Sequence, residues 1–477
     1  MLRIASLLPF LILPAAAAVA ADKAAETVSA LDDQTAVAVT IYNQDLALVR
    51  DSRSISLAPG QQTLAFREVS AKIRPETALL AAPSIQVLEQ NFEYDLLTPA
   101  SLLDKYVGRT VKLIKTHPTS GEEAAEEATV LSAGSGTVLK VGDRIEAGVP
   151  GRLIFPDVPE NLRDRPTLTM LVDSKDGGKQ DAVLSYLTSG LSWKADYVAE
   201  LGTDDASINL SGWVTLNNES GASYQNAKLQ LVAGEVNRAP EPMQPRMMMR
   251  MAAAPAAEAV MDGGMAEEFM FEYHLYTLGR PTTIKEKQSK QVALLQADGV
   301  KVKKEFVLRG ADYYYGSQAG ELGRKMKVGV FLELKNAKEN GAGQPLPAGV
   351  MRVYKKDSSG SLQFVGEDRI DHTPENEIVR LKLGEAFDVT ANKKQTDFKK
   401  AAWSRGTAYE SAYEIELKNA KDEAVTVKVT EPVPGDWEML EESAPHKKET
   451  SNTAVWEIKV EPKASTTLTW RVRVKYY

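Results

Sequence analysis

The feature of this sequence that most constrains its fold is a two-residue alternation of apolar and polar side chains, broken at short intervals by turn residues. It runs, for example, from Leu46 to Ile55, from Ile208 to Asn217 and from Thr466 to Val474. Successive side chains of a β-strand point to opposite faces of the sheet, so this alternation is typical of strands with one buried face. One helical turn is expected from Pro99 to Tyr106, capped by Thr98. The sequence therefore predicts a mainly β protein.

Length and composition indicate several β domains. The chain has 477 residues, of which 43% are hydrophobic and 26% charged, and this ordinary globular composition supplies enough apolar side chains for more than one core. We expect antiparallel β-sandwiches over most of the chain. The predicted segments are a signal peptide at 1–20, an N-terminal β unit at 21–98, a small β-barrel at 99–160, a β-sandwich region at 161–400 and an immunoglobulin-like C-terminal sandwich at 401–477.

Two of these domains are predicted from strand spacing. Three short strands around tight turns between residues 108 and 145 favour a small SH3-like barrel, with the alternative that they extend a neighbouring sandwich. The last 75 or so residues alternate cleanly, as in an immunoglobulin-like sandwich. Since this segment has no cysteine pair, we expect bulky side chains to fill its core: Trp437, Trp456 and Trp470.

Four aromatic residues are spaced as inward anchors of the central sandwich: Trp193, Tyr197, Trp213 and Tyr224. Buried aromatic rings contribute large apolar contact areas, so packing in the core is the first interpretation. The alternative is that these rings form a platform on which a ligand stacks.

The N-terminus has the features of a secretory signal peptide. Arg3 precedes an apolar run from Ile4 to Val19, and the small residues Ala18 and Ala20 fit a signal-peptidase site, so the mature chain is expected to begin near Ala21. The run is shorter than the roughly 20 residues that a membrane-spanning helix needs. We therefore expect an exported protein with no transmembrane segment after cleavage. The periplasm is the first expectation, and a secreted or a surface-associated protein is the alternative.

Charge and cysteine content exclude several classes of function. The formal net charge is −8, and Lys and Arg are scattered among Asp and Glu. Nucleic-acid binding depends on clustered cations, so no nucleic-acid partner is expected. The chain has no cysteine, which excludes cysteine nucleophiles, thiolate zinc sites and cysteine-ligated iron–sulfur clusters. No cofactor is predicted.

The sequence contains no motif that identifies a catalytic reaction. The sequence has no Gly-x-Ser-x-Gly elbow, His-Glu-x-x-His helix, phosphate-binding loop or dinucleotide fingerprint. It has four histidines, His117, His274, His372 and His446, of which His372, beside Asp371, is the best candidate for a catalytic base. A hydrolase of envelope glycan or peptide is therefore the alternative to a protein without enzymatic activity.

A segment rich in Pro, Ala and Met interrupts the alternation between residues 239 and 271. It holds eight of the thirteen methionines and is predicted to be a long loop between strands. Flexible methionines suit an adaptable contact with a partner, and the candidate partner-binding residues are Met243, Met247, Met248, Met249, Met251, Met261, Met265, Phe269 and Met270. Thioethers also favour Cu(I), so copper binding is a further alternative, with candidate ligands Met247, Met248, Met249, Met251 and His274.

Six stretches between residue 167 and the C-terminus are distinctive in combination: YLTSGLSWKADY at 186–197, WVTLNNESG at 213–221, YQNAKL at 224–229, LGRPTTI at 278–284, LPAGVMRVY at 346–354 and PGDW at 434–437. Together they resemble the bacterial proteins grouped under domain of unknown function 4139, some of which are labelled mucoidy-inhibitor-like. This resemblance implies a β-rich envelope protein and supplies no catalytic residues.

These observations favour a non-enzymatic binding or structural protein of the cell envelope. The expected partner is another envelope protein. Loops carry function more often than cores do, so the methionine-rich segment is the expected contact element.

Overall fold

Strands make up most of the chain. The computed structural model describes residues 26–134, 136–159, 162–234, 236–237, 265–270, 273–403 and 406–476. Within these ranges the backbone forms thirty strands and one α-helix, so the prediction of a mainly β fold with several sandwich-like sheets is confirmed. The α-helix has seven residues, and no helix in these ranges is long and apolar enough to cross a membrane.

The chain forms two compact units, and the first contains residues 26–36 and 51–186. β2, β3 and β13 continue into the second unit. The elements up to β13 are β1 Thr27–Ser29, β2 Gln34–Tyr42, β3 Leu46–Leu57, β4 Gly60–Arg67, β5 Leu79–Ala81, β6 Ile85–Glu93, α1 Pro99–Lys105, β7 Thr110–Thr116, β8 Glu123–Ser132, β9 Val138–Val141, β10 Arg144–Ala147, β11 Arg152–Ile154, β12 Thr167–Ser174 and β13 Gly178–Thr188.

One sheet of the first unit has four strands in the order β1, β4, β12, β6, with β1 parallel to β4 and the other pairs antiparallel. Phe66 of β4 and Met170 of β12 are fully buried. Arg53 is also fully buried. Asp51 accepts two hydrogen bonds from its guanidinium group, and the Ser29 carbonyl accepts another at 2.7 Å. A buried charge with a partner and satisfied donors costs far less than an isolated one.

Residues 99–154 form a small sheet with its own core. Helix α1 begins at Pro99, as predicted, because Thr98 Oγ1 accepts a hydrogen bond from the Ser101 backbone N–H at 3.0 Å. The strands lie in the order β10, β9, β8, β7, β11, around a core that includes Tyr106 and Leu113. In the described residues the short edge strands β10 and β11 do not pair with each other. The sheet is therefore open, and the expectation of a closed SH3-like barrel is wrong.

The second unit contains residues 37–50 and 187–476. Its elements after β13 are β14 Leu191–Leu201, β15 Ser207–Asn218, β16 Tyr224–Ala233, β17 Met265–Met270, β18 Tyr273–Leu278, β19 Thr282–Ile284, β20 Gln288–Arg309, β21 Glu321–Lys335, β22 Gly349–Lys356, β23 Leu362–Ile370, β24 Ile378–Ala401, β25 Thr407–Asn419, β26 Val425–Pro432, β27 Asp436–Glu442, β28 Lys447–Thr450, β29 Thr453–Val460 and β30 Ser465–Tyr476.

A sheet of the second unit follows the order β23, β22, β14, β15, β20, β21, β24, β25, β30, β27. β22 is parallel to β14, and the other neighbours are antiparallel. β20 is 22 residues long: its residues up to Lys301 pair with β15, and those from Val302 to Val307 pair with β21. This one strand therefore joins the central strands to the C-terminal ones.

The C-terminal strands form a sandwich around one core. β24, β25, β30 and β27 provide one layer, and the end of β20 with β26, β29 and β28 provides the other. Trp437, Trp456 and Trp470 are buried in this core, as predicted, and the rings of the last two are 5.1 Å apart. Leu308 and Val389 belong to the same core. The sandwich thus begins earlier in the chain than the predicted boundary at residue 401.

Candidate functional site

Strands β17 and β18 of the second unit form a pair at the edge of their sheet. They run antiparallel, with Met265 opposite Leu278 and Met270 opposite Tyr273. β18 also pairs with β16, and β16 lies parallel to residues 38–42 of β2. In the described residues β17 pairs with β18 alone, which makes it the edge strand of this sheet within those residues. We call β17 and β18 the edge pair.

The edge pair presents apolar side chains to solvent at one end. Phe269 is 42% exposed and Met270 is 39% exposed, whereas Met265, at the other end of β17, is only 4% exposed. Phe269 and Met270 are successive residues of a strand, so their side chains leave the strand on opposite faces. A partner strand that pairs with β17 would therefore meet an apolar side chain on either face.

The other end of the edge pair is fixed to the protein interior. Tyr276 of β18 is buried, and its hydroxyl donates a hydrogen bond to the Pro345 carbonyl at 3.1 Å. Burial raises the pKa of Tyr276 well above its usual value, with smaller contributions from Tyr197 and Glu267. Tyr197 likewise donates to the Pro347 carbonyl at 2.7 Å. Both hydroxyls thus keep their protons at neutral pH, and that of Tyr276 anchors the base of the edge pair.

A short polar contact orders the exposed end. His274 Nδ1 lies 2.6 Å from Glu267 Oε1, which joins β18 to β17 across the pair. The Phe269 ring packs edge-on against the His274 ring, with 5.9 Å between centroids and 76° between planes. Glu268, on the opposite face, is exposed and has no ion pair with any described residue. The surface is therefore ordered, apolar and weakly acidic.

The structure bears on four of the predicted methionine-segment residues. Met265, Phe269, Met270 and His274 lie in the edge pair. The prediction of a loop is wrong for Met265–Met270, since these residues form β17; their strand conformation comes from pairing with β18 and not from local propensity. Met265 is buried, so it is not available for direct contact with a partner.

The other candidate residues of the methionine-rich segment lie outside the described residues. They are Met243, Met247, Met248, Met249, Met251 and Met261. Copper binding through this segment therefore stays a prediction. In the described part of the chain, no three His, Asp or Glu side chains lie close enough together to hold a metal ion.

Trp213 lies on a surface that sequence reasoning missed. Trp193, Tyr197 and Tyr224 are buried, as predicted, but Trp213 is 41% exposed, so its assignment to the core is wrong. The buried apolar residues of β15 are at even positions, such as Leu216, and strand alternation places an odd position on the opposite face. This parity was visible in the sequence and would have identified the exposed tryptophan.

The residues around Trp213 form a connected polar network. Asp196 lies directly opposite Trp213 on β14, and its carboxylate accepts hydrogen bonds from Arg352 Nη1 at 3.0 Å and Thr215 Oγ1 at 3.2 Å. Arg352 Nε also lies 3.0 Å from Glu367 Oε2. The charged groups of Asp196, Arg352 and Glu367 are thus paired with one another beside the exposed indole ring.

A family model described as Domain of unknown function (DUF4139) matches residues 182–476. The chain belongs to this family. A comparison with curated proteins found no match. The DUF4139 region contains the edge pair, Trp213 with its polar network, and all six stretches that carry the resemblance.

The histidines of the DUF4139 region make contacts with amides or glutamates. Besides the pairing of His274 with Glu267, His446 Nδ1 lies 2.9 Å from Glu442 Oε2, and His372 Nδ1 accepts a hydrogen bond from the Ala348 N–H at 3.2 Å. Outside this region, His117 Nδ1 accepts a hydrogen bond from the Ser120 N–H at 3.2 Å. These contacts order turns and strand ends.

Proposed function

We propose that this DUF4139 protein is an exported, non-enzymatic binding protein of the cell envelope, and that the edge pair is its contact site for another envelope protein. The observation that carries this proposal is β17, an edge strand with exposed Phe269 and Met270 at one end. Proteins commonly protect their edge strands, because free backbone groups and apolar side chains together promote pairing with another chain.

The geometry of the edge pair supports binding by strand addition. A partner strand laid beside β17 gains main-chain hydrogen bonds, while its side chains contact the residues at alternate positions. Tyr276 and the Glu267–His274 contact hold the edge pair in place before binding, so little ordering entropy is lost on association. Glu268 is exposed and has no ion pair with a described residue, which favours a partner strand that carries Lys or Arg.

The test is crosslinking in intact cells, followed by affinity purification and mass spectrometry. The double variant Phe269→Ser/Met270→Ser should lose a partner that the unchanged protein captures. A deletion of residues 239–264 separates the methionine-rich segment from the edge pair, since it leaves β17 complete. We expect this deletion to retain the partner if the strand edge supplies the main contact.

The matched control is Phe387→Ser, which removes an 88% exposed aromatic ring from β24 and should leave capture unchanged. The two substitution variants should keep the thermal unfolding midpoint of the unchanged protein, because they alter exposed side chains. Undiminished capture by the Phe269→Ser/Met270→Ser variant would rule out the edge pair as the contact.

Export is tested separately by cell fractionation and intact-mass measurement. Protein recovered from the envelope fraction should have a mass corresponding to a chain that begins near Ala21. Replacing Ala18 and Ala20 by Gln should block cleavage, since signal peptidase requires small residues at these positions. An uncleaved chain in the cytoplasmic fraction of unmodified cells would contradict export.

A further inference from the structure

The C-terminal sandwich has a cleft that the sequence did not indicate. Its volume is about 450 Å³, and its lining includes Tyr313, Tyr409, Tyr476, Pro434 and Asp312. Asp312 and Tyr313 belong to a 3-10 turn after β20, Tyr409 to β25, Tyr476 to β30 and Pro434 to the turn before β27. These residues are far apart in the sequence, so only the packing of the sandwich brings them together. We call this surface the tyrosine cleft.

Neighbouring rings hold the tyrosines of the cleft in place. Tyr409 and Tyr476 meet at 6.1 Å between centroids with 64° between planes, and Phe398 stacks on Tyr409 at 5.0 Å. Tyr313 is exposed and packs edge-on against the buried Tyr314 at 4.7 Å. The aromatic lining is therefore formed before any ligand arrives.

The tyrosine cleft carries negative charge. Among the described residues of its lining Asp312 is the charged one, and it has no ion pair with any described residue. Two basic side chains of β30 are paired with other acidic residues: Lys475 Nζ lies 3.7 Å from Asp436 Oδ2, and Arg473 Nη2 lies 2.6 Å from Glu410 Oε1. Asp312 and Tyr476 line the same cleft. Burial raises the pKa of Tyr476, and Tyr409 and Asp312 raise it further.

We propose that the tyrosine cleft binds a weakly hydrated organic cation, namely a quaternary ammonium or guanidinium group. Aromatic rings attract cations through their quadrupoles, and an unpaired carboxylate at the rim adds a direct Coulomb attraction. An open cleft offers few hydrogen-bond acceptors to replace the water molecules that a strongly hydrated cation would lose on binding. It therefore favours guanidinium and quaternary ammonium over the strongly hydrated ammonium of lysine. This site is separate from the edge pair, and its proposal does not depend on the proposed protein partner.

The experiment titrates the full mature chain with choline chloride and, separately, with N-acetyl-arginine amide, using saturation-transfer NMR at constant ionic strength. We expect saturable binding, with a dissociation constant on the order of millimolar for a single aromatic cage. Asp312→Asn and Tyr313→Ser should each weaken it at least tenfold. The matched controls, Asp143→Asn and Tyr94→Ser, change an exposed aspartate and an exposed tyrosine elsewhere and should bind as the unchanged protein does.

The two ligands separate the sources of the cation. Binding of choline alone supports a free small molecule, and binding of the arginine derivative alone supports an arginine of a partner protein. Failure of both ligands to saturate the signal overturns the proposal, as does unchanged binding by Asp312→Asn. Because Asp312 and Tyr313 are exposed, both variants should fold, which the thermal unfolding midpoint verifies.

Discussion

At the scale of single residues, the C-terminal sandwich contains a fully buried ion pair. Lys393 Nζ lies 2.7 Å and 2.6 Å from the two carboxylate oxygens of Glu431, and the Tyr315 hydroxyl donates a hydrogen bond to the same carboxylate at 3.1 Å. Lys393 Nζ is also 4.2 Å from the centroid of the Tyr314 ring. Burial lowers the pKa of Lys393, and the Glu431 carboxylate acts against this effect. Each charge therefore depends on the other for its solvation.

A double-mutant cycle on this pair should show strong coupling. Lys393→Met alone leaves Glu431 buried without its cation and should reduce the free energy of unfolding by about 3–5 kcal/mol. The double variant Lys393→Met/Glu431→Leu should be more stable than either single variant, because it leaves no unpaired charge. Urea denaturation of the four proteins measures these differences. Additive single effects would show that the pair is not coupled.

At the scale of elements, alternation along β15 places Trp213 and Leu216 on opposite faces of the strand, although both are apolar in the sequence. Leu216 is fully buried, so Leu216→Ala should cost about 2–5 kcal/mol of stability. Trp213→Gln changes a larger side chain, but it should cost less than about 1 kcal/mol, since that ring is on the exposed face. Urea unfolding of both variants tests this ranking. A larger loss for Trp213→Gln would contradict the orientation of β15.

Other elements differ in how well their secondary structure can be predicted from their own residues. Helix α1 was predictable because Thr98, Pro99 and Ser101 form a local capping pattern. β17 was not predictable, because Met265–Met270 lacks β-branched residues and acquires its strand conformation from β18. The same holds for the candidate site: the sequence indicated Phe269 and Met270 as candidate partner-binding residues, but the edge strand that contains them depends on pairing.

At the scale of the whole molecule, buried tyrosines should limit stability at alkaline pH. Burial raises the pKa of Tyr197, Tyr276 and Tyr315 well above the usual value of about 10. Above pH 10 the unfolded chain loses these protons while the folded chain keeps them. The folded state then binds more protons, so its stability is complete below pH 10 and falls as the pH rises further.

The measurement is the urea midpoint at several values between pH 8 and pH 11. Tyr315→Phe should flatten the decline above pH 10, whereas Tyr94→Phe, a change at an exposed tyrosine, should leave the decline as in the unchanged protein. A urea midpoint that stays constant across this range in the unchanged protein would contradict the raised pKa of the buried tyrosines.

The sequence by itself determined the mainly β class, helix α1, the buried tryptophans of the C-terminal sandwich and the resemblance to DUF4139. Each depends on local periodicity, capping or short motifs, which act over a few residues. Only the tertiary structure decided that β20 and β24 belong to the C-terminal sandwich, that the small sheet stays open, and that the edge pair and the tyrosine cleft reach the surface. These features depend on which distant strands pair and which faces then pack, and strand pairing between distant segments leaves no local pattern in the chain.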